Sequence, residues 1–165
     1  MHGLHSHLPG RSTKTRGVAA EKLYEYGDDG RMINEIFPKS EKMPETISQF
    51  FTGQVWLKIL VERENEWNCP IGNVTFEPGC INNWHKHPGG QILLVTEGRG
   101  WYQEWDKEAR EIKAGDVVMI PSNTKHWHGA AKDCWLVHIS IETNIAAGSA
   151  EWLEAVSVDE YNKLV

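Results

Sequence analysis

Cysteine is scarce in this chain, and the three that occur, Cys69, Cys80 and Cys134, are odd in number and show no CxxC spacing. Neither a disulfide framework nor a structural zinc site can be built on them; Cys80 and Cys134 read as buried small hydrophobes, and a reducing, cytoplasmic setting fits. No apolar run approaches the roughly 20 residues that span a bilayer, and the first residues lack the apolar core of a secretory signal, so no membrane association is expected. Lys and Arg number 17 against 23 Asp and Glu, for a formal charge of −6. Nowhere do the basic residues interleave with aromatics, which argues against a nucleic-acid partner. Internal repeats are absent too, and 165 residues make one domain large enough to bury its own core.

What is present falls into two stretches. Met1 to Arg16 is rich in His, Gly, Ser, Lys and Arg, the composition of a flexible leader, so His2, His5 and His7 carry no functional weight. Glu21 to Asn34 suggests a short helix or two, broken by Asp28-Asp29-Gly30. Residues 1–45 are therefore expected to be a leader and an arm of helical and extended pieces, and residues 46–165 the folded barrel. In the latter, Gln54 to Val61, Gly72 to Phe76, Gln91 to Thr96, Gly100 to Trp105, Asp116 to Ile120 and Trp135 to Ile141 are short runs of β-branched, aromatic and leucine residues. Turn signals such as Glu77-Pro78-Gly79, Pro88-Gly89-Gly90, Glu97-Gly98 and Ala114-Gly115-Asp116 separate them, which predicts an all-β sandwich or closed barrel. Ser157 followed by Glu160 reads as a capping box opening a short terminal helix toward Leu164.

Five of the eight histidines fall in the barrel stretch. His85 and His87 stand two apart, and the period of a strand sends both imidazoles to one face. Gln91 follows across the Pro88-Gly89-Gly90 bend and can offer a neutral amide oxygen. A second pair, His126 and His128, follows Pro121, and His138 lies inside an apolar strand. A single His-x-His pair is more often structural than ligating; two in one small barrel favour a metal. His138 is equally an interior, hydrogen-bonded histidine or a catalytic one. Trp84, Trp101, Trp105, Trp127 and Trp135 form either a stacking wall for a substrate or, more commonly for strand aromatics, core and interface.

Gly79, five residues, His85, one residue, His87, three residues, Gln91, six residues and Gly98 resemble the first cupin motif, with Gln where most members carry Glu. Gly115, five residues, Pro121, one residue, Asn123, two residues and His126 resemble the second, with Asn123 where Gly is usual and Ala130 where Asn is usual. From Phe51-Thr52-Gly53 through Trp152 and Tyr161, the chain is similar to small single-domain bacterial cupins that include manganese-dependent hydroxynitrile lyases. The resemblance implies a single jelly-roll barrel, the double-stranded β-helix of cupins, with a short amino-terminal arm and a short carboxy-terminal helix. It implies His85, His87, Gln91 and His126 as metal ligands and His128 and His138 as proton carriers. It also implies a homodimer or larger homo-oligomer.

Three imidazoles and an amide oxygen leave a divalent ion its full charge and two open positions, a Lewis acid for a small hydroxylated or carbonyl substrate. Manganese or iron is the expected metal, with nickel and zinc compatible. The leading expectation is a carbon–carbon lyase of the hydroxynitrile-lyase kind. A metal-dependent dioxygenase is the alternative, supported by oxygen uptake with iron and opposed by turnover with a redox-inert metal. A non-catalytic cupin that binds a small ligand or a metal is the third reading, and predicts no turnover of any candidate substrate.

Overall fold

The computed structural model describes residues 36–37, 39 and 41–164, so the helices expected between Glu21 and Asn34 lie outside the described residues. Among the described residues, ten strands and two short α-helices follow one another. They are β1 Glu41–Lys42, α1 Glu45–Ser48, β2 Val55–Val61, β3 Ile71–Phe76, β4 His85–Lys86, β5 Gln91–Glu104, β6 Arg110–Lys113, β7 Val117–Ile120, β8 His126–Ala130, β9 Leu136–Glu142, β10 Glu151–Trp152 and α2 Val158–Asn162. The strands join antiparallel in one curled sheet in the order β1-β2-β3-β9-β5-β8-β4-β10, with β6 and β7 also paired to β5. Period-two alternation puts Val55 and Leu57, Val74 and Phe76, and Leu93 and Val95 in one interior cluster with Tyr102, Ile112 and Val118.

One expectation is corrected here. Gln91 to Thr96 and Gly100 to Trp105 are not two strands joined by a turn at Glu97-Gly98; they are halves of the fourteen-residue strand β5. The turn signal instead marks a bulge, where the register to β9 shifts between Val95 and Glu97. Gly98 sits there at φ +72°, and a Cβ on it would lie 1.8 Å from the Trp135 carbonyl oxygen, so no other residue fits. The bend lets the first half of β5 lie between β7 and β9, and the second half between β6 and β8.

Elsewhere the local signals read true. Ser157 accepts a hydrogen bond from the Glu160 amide at 3.4 Å and starts α2. Tyr161 on α2 is buried and donates its hydroxyl to the Ala130 carbonyl at 2.8 Å. With Ile81, Trp84, Trp127 and Val156 it forms a second cluster outside the barrel wall. Asn123 takes φ +60°, which explains how it replaces the usual glycine: Asn is among the few side chains at ease in that region. Cys80 is buried as expected, but Cys134 is only half-buried. Burial pushes the Cys80 thiol up to about 12, so it stays protonated.

Candidate functional site

β4, β5, β8 and β9 bring the barrel histidines together. His85 pairs with His126 across β4 and β8, and their rings stand 4.2 Å apart. His87 is 5.2 Å from His85 and 5.9 Å from His126 by ring centres. On β8 the alternation that points Trp127 outward points His126 and His128 inward, with stacked rings 5.9 Å apart. His138 on β9 lies 5.0 Å from His128. One nitrogen from each of His85, His126 and His128 falls within 4.8 Å of the other two. The geometry therefore gathers all six residues singled out in the sequence, and sets His128 as close to His85 and His126 as an expected ligand would be.

Proton positions follow from the partners. His85 Nδ1 is 2.9 Å from the Asn83 carbonyl and His126 Nδ1 is 2.8 Å from that of Thr124. A carbonyl only accepts, so each Nδ1 carries the hydrogen and each Nε2 keeps a lone pair turned into the barrel. Gln91 donates its amide nitrogen to Ser140 Oγ at 2.9 Å, which turns Oε1 toward His126 Nε2, 3.2 Å away. Two acceptors thus face one another with no proton between them. A cation relieves that opposition. The reversed amide, donating to His126 and accepting from Ser140, satisfies the same atoms without one, so the observed orientation is the one that suits an ion. His87 Nε2 is buried with no hydrogen-bond partner, a further donor atom of the same kind. The residues present fit a divalent metal held by neutral nitrogen and oxygen donors.

Burial keeps these imidazoles uncharged. Loss of solvent, reinforced by His126 and His87, holds His85 well below the usual imidazole range. Burial with the nearby Arg63 takes His87 to about 4, and burial with His87 as a like-charged neighbour takes His126 to about 4. His128 is held well below its ordinary value by burial and then by His138 and the other histidines, and burial alone takes His138 to about 4. The ring nitrogens of His138 find no well-formed hydrogen bond, and an interaction with the Ile139 backbone only partly offsets the effect of burial.

The cluster closes one end of a cavity of about 430 Å³. Its walls are mostly apolar, from Met43, Ile47, Phe51, Leu57, Ile59, Val74 and Phe76. None of the five tryptophans considered for a stacking wall lines it; Trp84 and Trp127 belong to the outer cluster instead, and Phe51, Phe76 and Trp152 supply the aromatic surface. Trp152 on β10 stacks on His85 at 4.7 Å and fixes its ring plane. Asn82, buried beside His128, accepts from the His128 amide at 3.0 Å and places its own amide nitrogen 3.3 Å from His128 Nε2. Asn82, Ser140 and the stacking role of Trp152 were missed by sequence reasoning. Of these, Ser140 shares the strand face of His138 two residues on and Trp152 falls within the stretch that resembles small cupins, while Asn82 carries no such signal.

The cupin domain family model matches residues 72–140. An (R)-mandelonitrile lyase of Granulicella tundricola is 37% identical over 116 residues, which cover 70% of this chain and 88% of that protein. A cupin-like protein of Thermotoga maritima superposes with a TM-score of 0.74 at 53% identity, over 79% of this chain and 96% of its own. A cupin 2 conserved barrel domain protein of Rhodopseudomonas palustris, 17% identical, shares the fold with a TM-score of 0.58 over 86% of this chain and 91% of its own.

Proposed function

The chain belongs to the cupin family, and from that premise we propose that it is a metal-dependent carbon–carbon lyase acting on a small hydroxylated or carbonyl compound, in the manner of a hydroxynitrile lyase. The opposed lone pairs of Gln91 Oε1 and His126 Nε2 carry this reading, since they suit a cation at the bottom of an apolar cavity. The mandelonitrile lyase similar to this chain supplies the reaction class.

His85, His87, Gln91 and His126 would hold the ion, with manganese or iron the metals proposed. When bound, it supplies Lewis acidity to a substrate oxygen. The protein's own groups do the rest. Asn82 holds His128 in place through its buried amide, and Trp152 holds His85. His138 and His128 are uncharged at neutral pH and each can accept a proton. In cyanohydrin cleavage the hydroxyl proton passes to one of these imidazoles while the C–C pair leaves with cyanide and the oxygen closes the carbonyl. The imidazolium then returns that proton to cyanide. Because burial makes both histidines weak bases, the return step is fast. The apolar walls exclude water from the forming aldehyde.

The test is elemental analysis of protein cut after Arg16, which removes the leader histidines, followed by an assay of mandelonitrile cleavage with manganese or iron restored. About one ion per chain together with cleavage is the expected result. Binding without turnover of any cyanohydrin would sink the lyase reading in favour of a metal-binding cupin, and oxygen uptake with iron would turn it toward a dioxygenase.

A further inference from the structure

The cavity carries a single cationic side chain among its described lining residues. Arg63, two residues beyond the end of β2, stands at the rim of the cavity beside the histidine cluster. Its Nη1 donates to Glu142 Oε2 at 3.1 Å, and its Nη2 reaches Ser149 Oγ at 3.4 Å. The same Glu142 oxygen lies 3.9 Å from His87 Nδ1, so the ion pair abuts the cluster directly. Both side chains are part-exposed, at 40% and 28%.

Two features make this pair unlike an ordinary surface bridge. Glu142 meets only one arm of the guanidinium, so the paired donors that grip a carboxylate bidentately are not filled by it. Glu62 and Glu142 also line the cavity, but the proposed ligand set is neutral, so an ion held there would keep its whole positive charge and, with Arg63, leave this end net positive. Such an end of an apolar cavity favours an anion, and a carboxylate brought in from water needs a charge-matched, hydrogen-bonding partner to repay its desolvation.

We propose that Arg63 is the anchor for a substrate carboxylate, and that the pocket takes a small acid with an apolar body whose second oxygen points to the histidines. This rests on reading the cluster as the reactive end of the pocket. On binding, the substrate carboxylate takes the guanidinium fork and Glu142 gives way toward solvent, which it already partly meets. One carboxylate replaces another, so Arg63 is never left unpaired. Leu57, Val74 and Phe76 receive the apolar body, and a cavity of about 430 Å³ holds an acid of mandelate size.

Calorimetric titration of the full, manganese-loaded protein with mandelate and with its neutral amide, mandelamide, tests this. Wild type should bind mandelate at least about tenfold more tightly than mandelamide. In Arg63→Gln that preference should vanish through loss of mandelate affinity, with mandelamide unchanged; Arg63→Lys, which keeps the charge and loses the fork, should fall between. Glu142→Gln, which removes the competing carboxylate, should bind mandelate more tightly than wild type. Equal affinities in wild type, or a preference that survives Arg63→Gln, overturn the proposal. Mandelonitrile turnover, measured in parallel, separates the two readings. Turnover without a mandelate preference defeats Arg63 alone, and a preference lost in Arg63→Gln without any turnover defeats the lyase reading while leaving Arg63 its role.

Discussion

The two faces of β8 are built from adjacent residues to opposite rules. Outward, Trp127 donates its indole nitrogen to Gln103 at 2.7 Å, packs edge-on to Tyr161, and shares a cluster in which the Tyr161 hydroxyl also has its acceptor. Inward, His126 faces another acceptor, and beyond it His87 and His138 bury ring nitrogens that bond to nothing. A buried polar atom without a partner costs about 1–3 kcal/mol, so the inner face forgoes stability that the outer face collects. The contrast fits the proposed function, with satisfaction withheld on the side given to the ion and rigidity built on the side that holds it in place.

The sharpest way to break this contrast is on the inner face. His126→Ala should drop bound metal from about one per chain to almost none, read by elemental analysis of the protein lacking its leader histidines. Retained metal would mean that the opposed lone pairs do not mark the ion's place. On the outer face, Trp127→Ala should cost about 3–5 kcal/mol in denaturant unfolding, through the cavity it leaves. A cost no larger than that of His126→Ala in metal-free protein would erase the distinction between the faces.

Mild acid should act on the inner face. His87, His126 and His138 titrate near 4 when folded, against 6.5 for a free imidazole. Below about 6.5 the unfolded chain therefore binds more protons than the folded one, and stability falls as the pH drops from there to about 4, beyond which both states are charged. Thermal melts of metal-free protein across that window check the sign; a flat profile would contradict the uncharged cluster. Smaller still, Tyr161→Phe should cost about 1 kcal/mol for one lost hydrogen bond, measured by the same unfolding. His138→Leu should change stability least, within about 1 kcal/mol, because it removes two unpaired polar atoms. Cyanohydrin cleavage, in contrast, should fall at least about a hundredfold.

Much of this was legible in the sequence because it rests on local rules. The His-x-His spacing and strand alternation put His85 and His87, then His126 and His128, on one interior face. The glycine and proline punctuation marked the end of β3 and both ends of β7, and the Ser157 cap marked α2. Where the reading failed, the deciding contact was long-range. Glu97-Gly98 looks like a turn in isolation and becomes a bulge only because Trp135 passes against it. Asn82 has no sequence spacing to His128 that signals partnership; a bridge between distant backbones brings them together. Arg63 belongs to no sequence motif, and its pairing with Glu142, 79 positions later, exists only in the fold.

The place of β9 between β3 and β5 has a consequence in time. His85, His87 and Gln91 are synthesised well before Leu136–Glu142, yet the wall that completes their chamber is that late strand. Pairing over such separations is slow, and a nascent chain leaves the ribosome at about 5–20 residues per second. Three of the four proposed ligands therefore emerge as an open, poorly discriminating set, and the chamber that could choose among ions by shape exists only after β9 has slotted in. Which metal the proposed site would take is thus fixed at closure, by the ion pool of the place where closure happens.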